Sequence, residues 1–466
     1  MEIDVDHHTT NKAPFNELFR GGPEERQALL DYVDDCHWLV YHTTHVLKLY
    51  LLKDASLRSN VTISLIPNVM YLLNGTYTPR STVKRQTLTP IIEIIQEYRK
   101  HVPQCKPIGL SAVQQTIHYL STTIKTNITV NVQSHFCRKL YAFIHRRLRV
   151  RETKKALKDN KDTYKAYITR LRLVRDALIL DTDLSIDLEF TDDEHILFDE
   201  IRAILPYTEP QKESLAYNVA ANADRFFPSY CRLSSAYEAY GYPQFSAIPI
   251  RRGKTLNFAP IDTKILCTHV YKTPSLIRNM MSEKHMLWND MIDLEHKACR
   301  PRGNKSFNGR ISTDGTSISV CLDDSTTSYG HKTKRAKKVD QEAIKKESYF
   351  DYHVPELLDA GNFVVIDPNK RDLLFCRDAL SQETLRYTSN QRAVETKSRK
   401  YRKILEGLKE QCNIPEIEST TPTHKTMKMD AYVTYLVAMN HKLPVLKEFY
   451  SKPIHNKLKF NAFINT

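Results

Sequence analysis

Residues 362–378 read NFVVIDPNKRDLLFCRD, and this stretch decides how the last third of the chain is expected to fold. Phe363, Val364, Val365 and Ile366 form a short apolar run rich in β-branched residues, which predicts a buried strand ending on Asp367. Pro368 sets φ for the first corner of a turn, and Asn369 tolerates a positive φ at the second. Leu373, Leu374, Phe375 and Cys376 predict the returning strand, so the pair is a hairpin. Asp367 is thus a carboxylate at a strand end, pinned by a proline turn. Two roles fit that position: opening the turn, or serving as a metal ligand. The stretch alone leaves both open.

Working outward, Thr384 to Thr388 (TLRYT) predicts a third strand. Ser389-Asn390 predicts the cap of a helix from Gln391 to Lys409, loaded with Arg392, Lys397, Arg399, Lys400, Arg402 and Lys403. Asp430 to Ala438 and Leu446 to Tyr450 predict further helices. Upstream, Ser325 to Lys346 reads as a polar linker. Its cluster Lys334, Arg335, Lys337 and Lys338 fits a nuclear localisation signal and equally an ordinary basic linker. Before it, Asp314-Gly315 stands between β-prone segments and marks a hairpin, with Asp314 a turn residue. Arg251-Arg252-Gly253-Lys254-Thr255 suggests a phosphate loop, but that motif needs glycine where Ile248 stands. It reads instead as a basic loop on a β-rich module. Thr273 to Leu294 predicts helix.

The N-terminal half reads as helical. Apolar residues at three-to-four spacing run from about Pro23 to Lys53, and continue over Thr62–Leu73 and Pro90–Tyr98, broken at Pro67, Pro79 and Pro90. Residues 135–155 read HFCRKLYAFIHRRLRVRETKK. Phe136, Leu140, Phe143, Ile144 and Leu148 keep an apolar stripe, while Arg138, Lys139, Arg146, Arg147, Arg149 and Arg151 load the other faces. From Arg138 to Arg175 there are 14 basic and 3 acidic residues, a balance of +11, which is the clustering that phosphate neutralisation needs. The acidic run from Asp181 to Glu200 matches no metal-binding loop and reads as a solvated or self-masking segment.

The totals agree with a polyanion binder. Across 466 residues the formal charge is +14, favouring nucleic acid first and an anionic membrane second. No apolar run reaches the ~18–20 residues that span a bilayer, and the start, MEIDVDHHTTNKAPF, does not resemble a signal peptide. The nine cysteines include no C-x-x-C pair, which excludes a zinc ribbon within these residues and favours a reducing compartment. Twelve glycines argue against a glycine-cradled nucleotide fold. The length predicts two to four domains. We expect an α+β multidomain protein: a disordered lead-in at 1–20, a helical basic recognition region at 21–245, a β-rich wedge-like module at 246–325, a basic linker at 326–347 and a final unit at 348–466.

The order of these pieces resembles Fanzor, the eukaryotic relatives of TnpB, from roughly Phe245 to the end. The resemblance is carried by Ile248–Lys254 (IPIRRGK), Trp288, Gly309–Val320 (GRISTDGTSISV), Val364–Leu374 (VVIDPNKRDLL) and Tyr387–Ile404. It implies an RNA-guided DNA endonuclease with a RuvC-type centre, in which residues 348–466 begin an RNase H-like domain as three strands and a helix. In that family three carboxylates hold two metal ions, here Mg²⁺, for phosphodiester hydrolysis. Asp367 carries over as the first catalytic and metal-binding carboxylate. Asn369 stands where the family usually has glycine, and the remaining carboxylates and cysteine motif are expected beyond Thr466. The implied partners are a guide RNA and a double-stranded DNA target, bound by a nuclear monomer with no membrane association. As it stands, the chain is expected to be catalytically incomplete. Arg138, Lys139, Arg146, Arg147, Arg149, Arg151, Arg251, Arg252, Lys254, Arg392, Arg399, Lys400 and Arg402 are the expected nucleic-acid contacts. A non-catalytic binder derived from a mobile element and a cut-and-paste transposase are the alternatives.

Overall fold

The computed structural model describes residues 8–53, 65–75, 82–180, 190–205, 214–273, 275–280, 282–324, 363–452 and 454–455. It is mostly helical with two small antiparallel sheets, an α+β protein. Linker 326–347 and its basic cluster lie outside the described residues.

Helix α2 (Pro23–Lys53) is the spine. Proline opens it where a missing N–H costs nothing, and Glu24 and Glu25 suit the positive N-terminus. Every residue from Leu39 to Leu49 is buried, so this half is enclosed on all sides. Around it pack α3 (Leu65–Asn74), α4 (Thr82–His101) and α5 (Gln114–Arg147). The expected proline breaks do not occur at Pro67 or Pro90. Pro67 lies in the first turn of α3. Pro90 lies inside α4, where buried Leu88, Ile91, Ile94, Ile95 and Tyr98 outweigh one lost backbone bond.

The basic block forms the end of α5, then α6 (Val150–Ala156) and α7 (Lys161–Leu180). The acidic run is partly described: α8 (Asp192–Ile204) starts with a reciprocal capping box between Thr191 and Glu194. Next come α9 (Leu215–Ala221) and α10 (Ala223–Ala239), which lie along α5 through Phe136 against Phe226 and Phe143 against Tyr237.

The first sheet corrects the expected lead-in. Residues 8–14 are not disordered: they form strand β1 (His8–Pro14), followed by the short helix α1 (Phe15–Leu18), with Ala13, Phe15 and Leu18 buried. The sheet order is β1-β4-β3-β2, with β2 (Ala259–Asp262), β3 (Lys305–Thr313) and β4 (Ser317–Asp324). HTTNKAP has little apolar alternation, so its pairing partner, not its own pattern, makes it a strand. The Asp314-Gly315 hairpin is as expected. Asp314 Oδ1 accepts from the backbone of Thr316 (3.0 Å) and Ser317 (3.1 Å), a turn role. Between β2 and β3 run α11 (Thr263–Ile265), α12 (Leu276–Asn279) and α13 (Lys284–Met291), shorter helices than the span Thr273–Leu294 suggested. Trp288 Nε1 donates to Thr263 Oγ1 at 3.0 Å and holds this connection on the sheet.

The second sheet, order β5-β6-β7, contains β5 (Val364–Asp367), β6 (Asp372–Asp378) and β7 (Thr384–Thr388). The hairpin and third strand form as expected, but β5 is not buried. Phe363, Val364, Val365 and Ile366 are 42–56 % exposed. An apolar run specifies a strand; burial requires a second layer, and none of the described residues supplies one. Asn369 does not take a positive φ. Its N–H instead donates to Asp372 O at 2.9 Å and closes a longer turn. The single helix expected over 391–409 is two, α14 (Ser389–Glu395) and α15 (Ser398–Gln411), separated by Lys397 at φ +53°. The cap is Thr388, one residue before the expected pair, with Gln391 completing the box.

Beyond α15 the chain returns to the helical body. Helices α16 (Ile414–Ser419) and α17 (Met429–Ser451) follow, the latter continuous through Pro444 where two helices were expected. Helix α17 packs on α2 and α4. Lys447 Nζ donates to both Asp34 carboxylate oxygens at 2.6 and 2.9 Å, and the Tyr432 hydroxyl lies 2.6 Å from His45 Nδ1.

Candidate nucleic-acid interface

Helix α5 ends at Arg147 with Leu148 as its cap, and Arg149 turns the chain into α6 with φ +47°. A left-handed non-glycine residue costs about 1 kcal/mol or more, and such strain concentrates at functional positions. Buried Val150 anchors the far side of the turn. The bend encloses a cleft of about 870 Å³ lined by Ala142, His145, Arg146, Arg149, Val150, Arg151, Glu152, Lys154 and Tyr242. Its lining carries three arginines, a lysine and a histidine against a single carboxylate. Arg146, Arg149 and Arg151 are exposed. A second cleft of about 630 Å³ includes Tyr71, His118 and Lys125, but its one lysine already faces Asp224 at 3.2 Å.

The field in and beside the cleft is net positive. Burial, then Lys154 and Arg175, lowers the pKa of His145. Burial, then Arg138, Arg146 and Lys425, lowers that of Lys139. Beside burial these cations lower one another's pKa, and a polyanion would relieve them.

Aromatic rings complete the rim. Helix α10 closes with Gly241 at φ +65°, a conformation that costs glycine nothing. Gly241 N–H donates to Glu238 O (3.2 Å) and Tyr242 N–H donates to Tyr237 O (2.8 Å), the paired bonds of a Schellman cap. This cap folds Tyr242 back over Tyr237, edge to face at 5.8 Å, and stacks it with Tyr240 at 5.8 Å and 25°. Arg146 lies 5.5 and 5.4 Å from the Tyr237 and Tyr242 centroids, Arg147 lies 4.3 Å from Tyr240, and Lys139 lies 4.9 Å from Phe245.

Helix α8 screens part of this surface. Arg147 donates twice to Glu200 at 3.0 and 2.8 Å, and the Tyr240 hydroxyl donates to the same carboxylate. Arg170 donates to Glu194 at 2.6 Å. The self-masking reading therefore describes Glu194 and Glu200; Asp181, Asp183, Asp187 and Glu189 lie outside the described residues.

The other predicted contacts are dispersed. Arg138 Nη2 lies 3.3 Å from His135 Nδ1 at the start of the basic block. The RRGK segment is not a loop on the sheet but is threaded between α2 and α17. Gly253 has φ +74°, and a Cβ there would meet Tyr41 at 2.7 Å and Leu443 at 2.9 Å. Arg251 donates to Asn257 Oδ1 (2.8 Å), and burial lowers its pKa. Lys254 donates to Glu418 (2.5 Å), and Arg252 is exposed. Burial would raise the Glu418 carboxyl, but hydrogen bonds from Lys254, Lys409 and Tyr450 outweigh it and hold the group at about 2. On α14 and α15, Arg399 donates to Asn390 Oδ1 (2.5 Å), Arg392 is partly buried, and Lys400 and Arg402 are exposed. Lys334, Arg335, Lys337 and Lys338 lie outside the described residues.

Asp367 is exposed at the end of β5, opposite Phe375. Neighbouring carboxylates on the sheet are engaged: Asp372 by Arg386 (2.8 Å), and Asp378 by the N–H groups of Leu380 and Ser381. Among the described residues no group of three or more His, Cys, Asp or Glu side chains could hold a metal ion. One exposed carboxylate does not fit a two-Mg²⁺ centre, and no hydrolytic step is assigned to it.

The sequence reading missed Tyr240, Tyr242, His145, Lys154 and Lys425. The first two were legible in YEAYGY at 237–242, where a glycine follows a helix and aromatics flank it. Lys425 acts on Lys139 from a segment that Glu238 holds by accepting from Thr426 Oγ1 and Met427 N–H, both at 2.6 Å.

Residues 259–324 match a family described as a domain of unknown function (DUF8286). The match spans β2, β3 and β4, while β1, which completes that sheet, falls outside it. A comparison with curated proteins finds no match.

Proposed function

We propose that the chain binds nucleic acid along the α5–α7 face, as the recognition portion of a Fanzor-like, RNA-guided DNA endonuclease, with a guide RNA and a double-stranded DNA target as partners. The observation that carries this reading is the cleft at the α5–α6 bend, where Arg146, Arg149, Arg151 and Lys154 face one glutamate. Three antiparallel strands followed by a helix, β5-β6-β7-α14, support reading 364–395 as the opening of an RNase H-like fold. Asp367 would be its first metal ligand. With that ligand alone, binding and not hydrolysis is the activity proposed for this chain.

The test is fluorescence anisotropy with a labelled structured RNA. Reversing Arg149 and Arg151 to glutamate is expected to weaken binding at least tenfold and to flatten the dependence on salt. Unchanged affinity overturns the reading. Sequencing RNA that copurifies with the protein separates the guide reading from a transposase, which needs no structured RNA. A nuclear address at Lys334, Arg335, Lys337 and Lys338 belongs to the same proposal, and is tested by imaging a tagged chain with those residues changed to alanine.

A further inference from the structure

We propose that the cleft at the α5–α6 bend takes single-stranded nucleic acid in preference to duplex, with a base stacked on the Tyr240–Tyr242 platform. The inference rests on the nucleic-acid reading of that cleft and deepens it. Phosphates alone are satisfied by cations, so the arginines do not distinguish a strand from a duplex. The tyrosines do. Tyr240 is 42 % exposed and lies beside the cations rather than in the core. Tyr242 lines the cleft itself. Their rings are nearly parallel, and the Schellman cap at Gly241 fixes them before any ligand arrives.

Arg146 and Arg147 lie against these rings, and an entering base would extend that guanidinium–ring stack or take the place of one guanidinium. An unpaired base offers such a face; in a duplex the faces are stacked on one another. Cations at Arg149, Arg151 and Lys154 line the same cleft as Tyr242, so one strand can bring both phosphates and a base to it. The neighbouring Arg147 and Tyr240 share Glu200, a carboxylate in the place a phosphate oxygen would take.

The experiment measures anisotropy of labelled single-stranded RNA, single-stranded DNA and the matching duplexes with the full chain. Wild type is expected to bind single strands at least fivefold tighter than duplexes at equal salt. Tyr240→Ala with Tyr242→Leu keeps the apolar contact of the cap and removes both π-faces. It should lower single-strand affinity by about 5- to 150-fold per stacked base and duplex affinity by much less. Thermal melting confirms that the variant folds, and Tyr240→Ala alone serves if it does not. Equal losses on strand and duplex, or a wild type that prefers duplex, overturns the inference. Loss of all binding in Arg149→Glu/Arg151→Glu alongside such a result keeps the nucleic-acid reading, whereas no effect of that reversal sinks both. Comparing the RNA and DNA arms identifies which strand is taken.

Discussion

Replacing Lys48 with methionine is expected to stabilise the protein at pH 7, by an amount that shrinks as pH rises. Lys48 is 1 % exposed. Its Nζ donates to the His424 carbonyl and lies 4.6 Å from the Tyr432 centroid. Burial, the largest cause, pulls its pKa from 10.5 to about 7. The unfolded chain keeps this proton up to about pH 10.5, whereas the folded chain releases it near pH 7. The unfolded state therefore binds more protons across that window, and stability rises with pH through it. The penalty is about 5 kcal/mol well below pH 7, about 4 at pH 7 and about 2 at pH 9. Methionine fills similar space without a proton, but it leaves the His424 carbonyl lacking its donor, which costs about 1–3 kcal/mol. A net gain of about 1–3 kcal/mol at pH 7 follows. Groups that do not face Lys48 are common to both proteins, so they cancel in the difference. Between pH 7 and pH 9 the advantage of Lys48→Met should fall by about 2 kcal/mol. Urea denaturation followed by circular dichroism at both values measures it. An advantage that stays constant, or a variant less stable at pH 7, refutes the reasoning.

Burial, the largest cause, lowers His42 to about 3 and His424 to about 4. Their folded pKa lies below the unfolded value, so the stability they permit is present above pH 6.5 and is lost toward pH 4, at about 1.4 kcal/mol per pH unit each. Melting temperature against pH should therefore fall less steeply for His42→Phe than for wild type, and parallel curves count against this. Glu200→Gln should release Arg147 and Tyr240, tightening RNA binding at low salt and steepening its salt slope by about 1; weaker binding by anisotropy would show that Glu200 holds the site together instead. Gly241→Ala meets no atom within 4 Å, so only its φ of +65° resists; the loss should be about 1 kcal/mol by urea denaturation, and a neutral result would remove the cap from the account.

Local chemistry was enough for much of this protein. The helical spacing from Pro23 to Lys53, the Asp314-Gly315 turn and the hairpin whose first strand ends on Asp367 each depend on residues within a few positions of one another. The positive face of residues 138–175 was likewise legible, because a +11 balance survives any arrangement of the helices. What those residues touch was not. Arg147 and Lys254 read as nucleic-acid contacts, yet each meets a glutamate, Glu200 at 53 positions away and Glu418 at 164. Strand β1 exists because β4 offers it an edge, and β5 is exposed because nothing described covers it. Sequence fixes backbone preference and charge, which are local sums. Burial, pairing and the meeting of a cation with an aromatic face depend on distant segments arriving at one place, and only the folded chain decides which do.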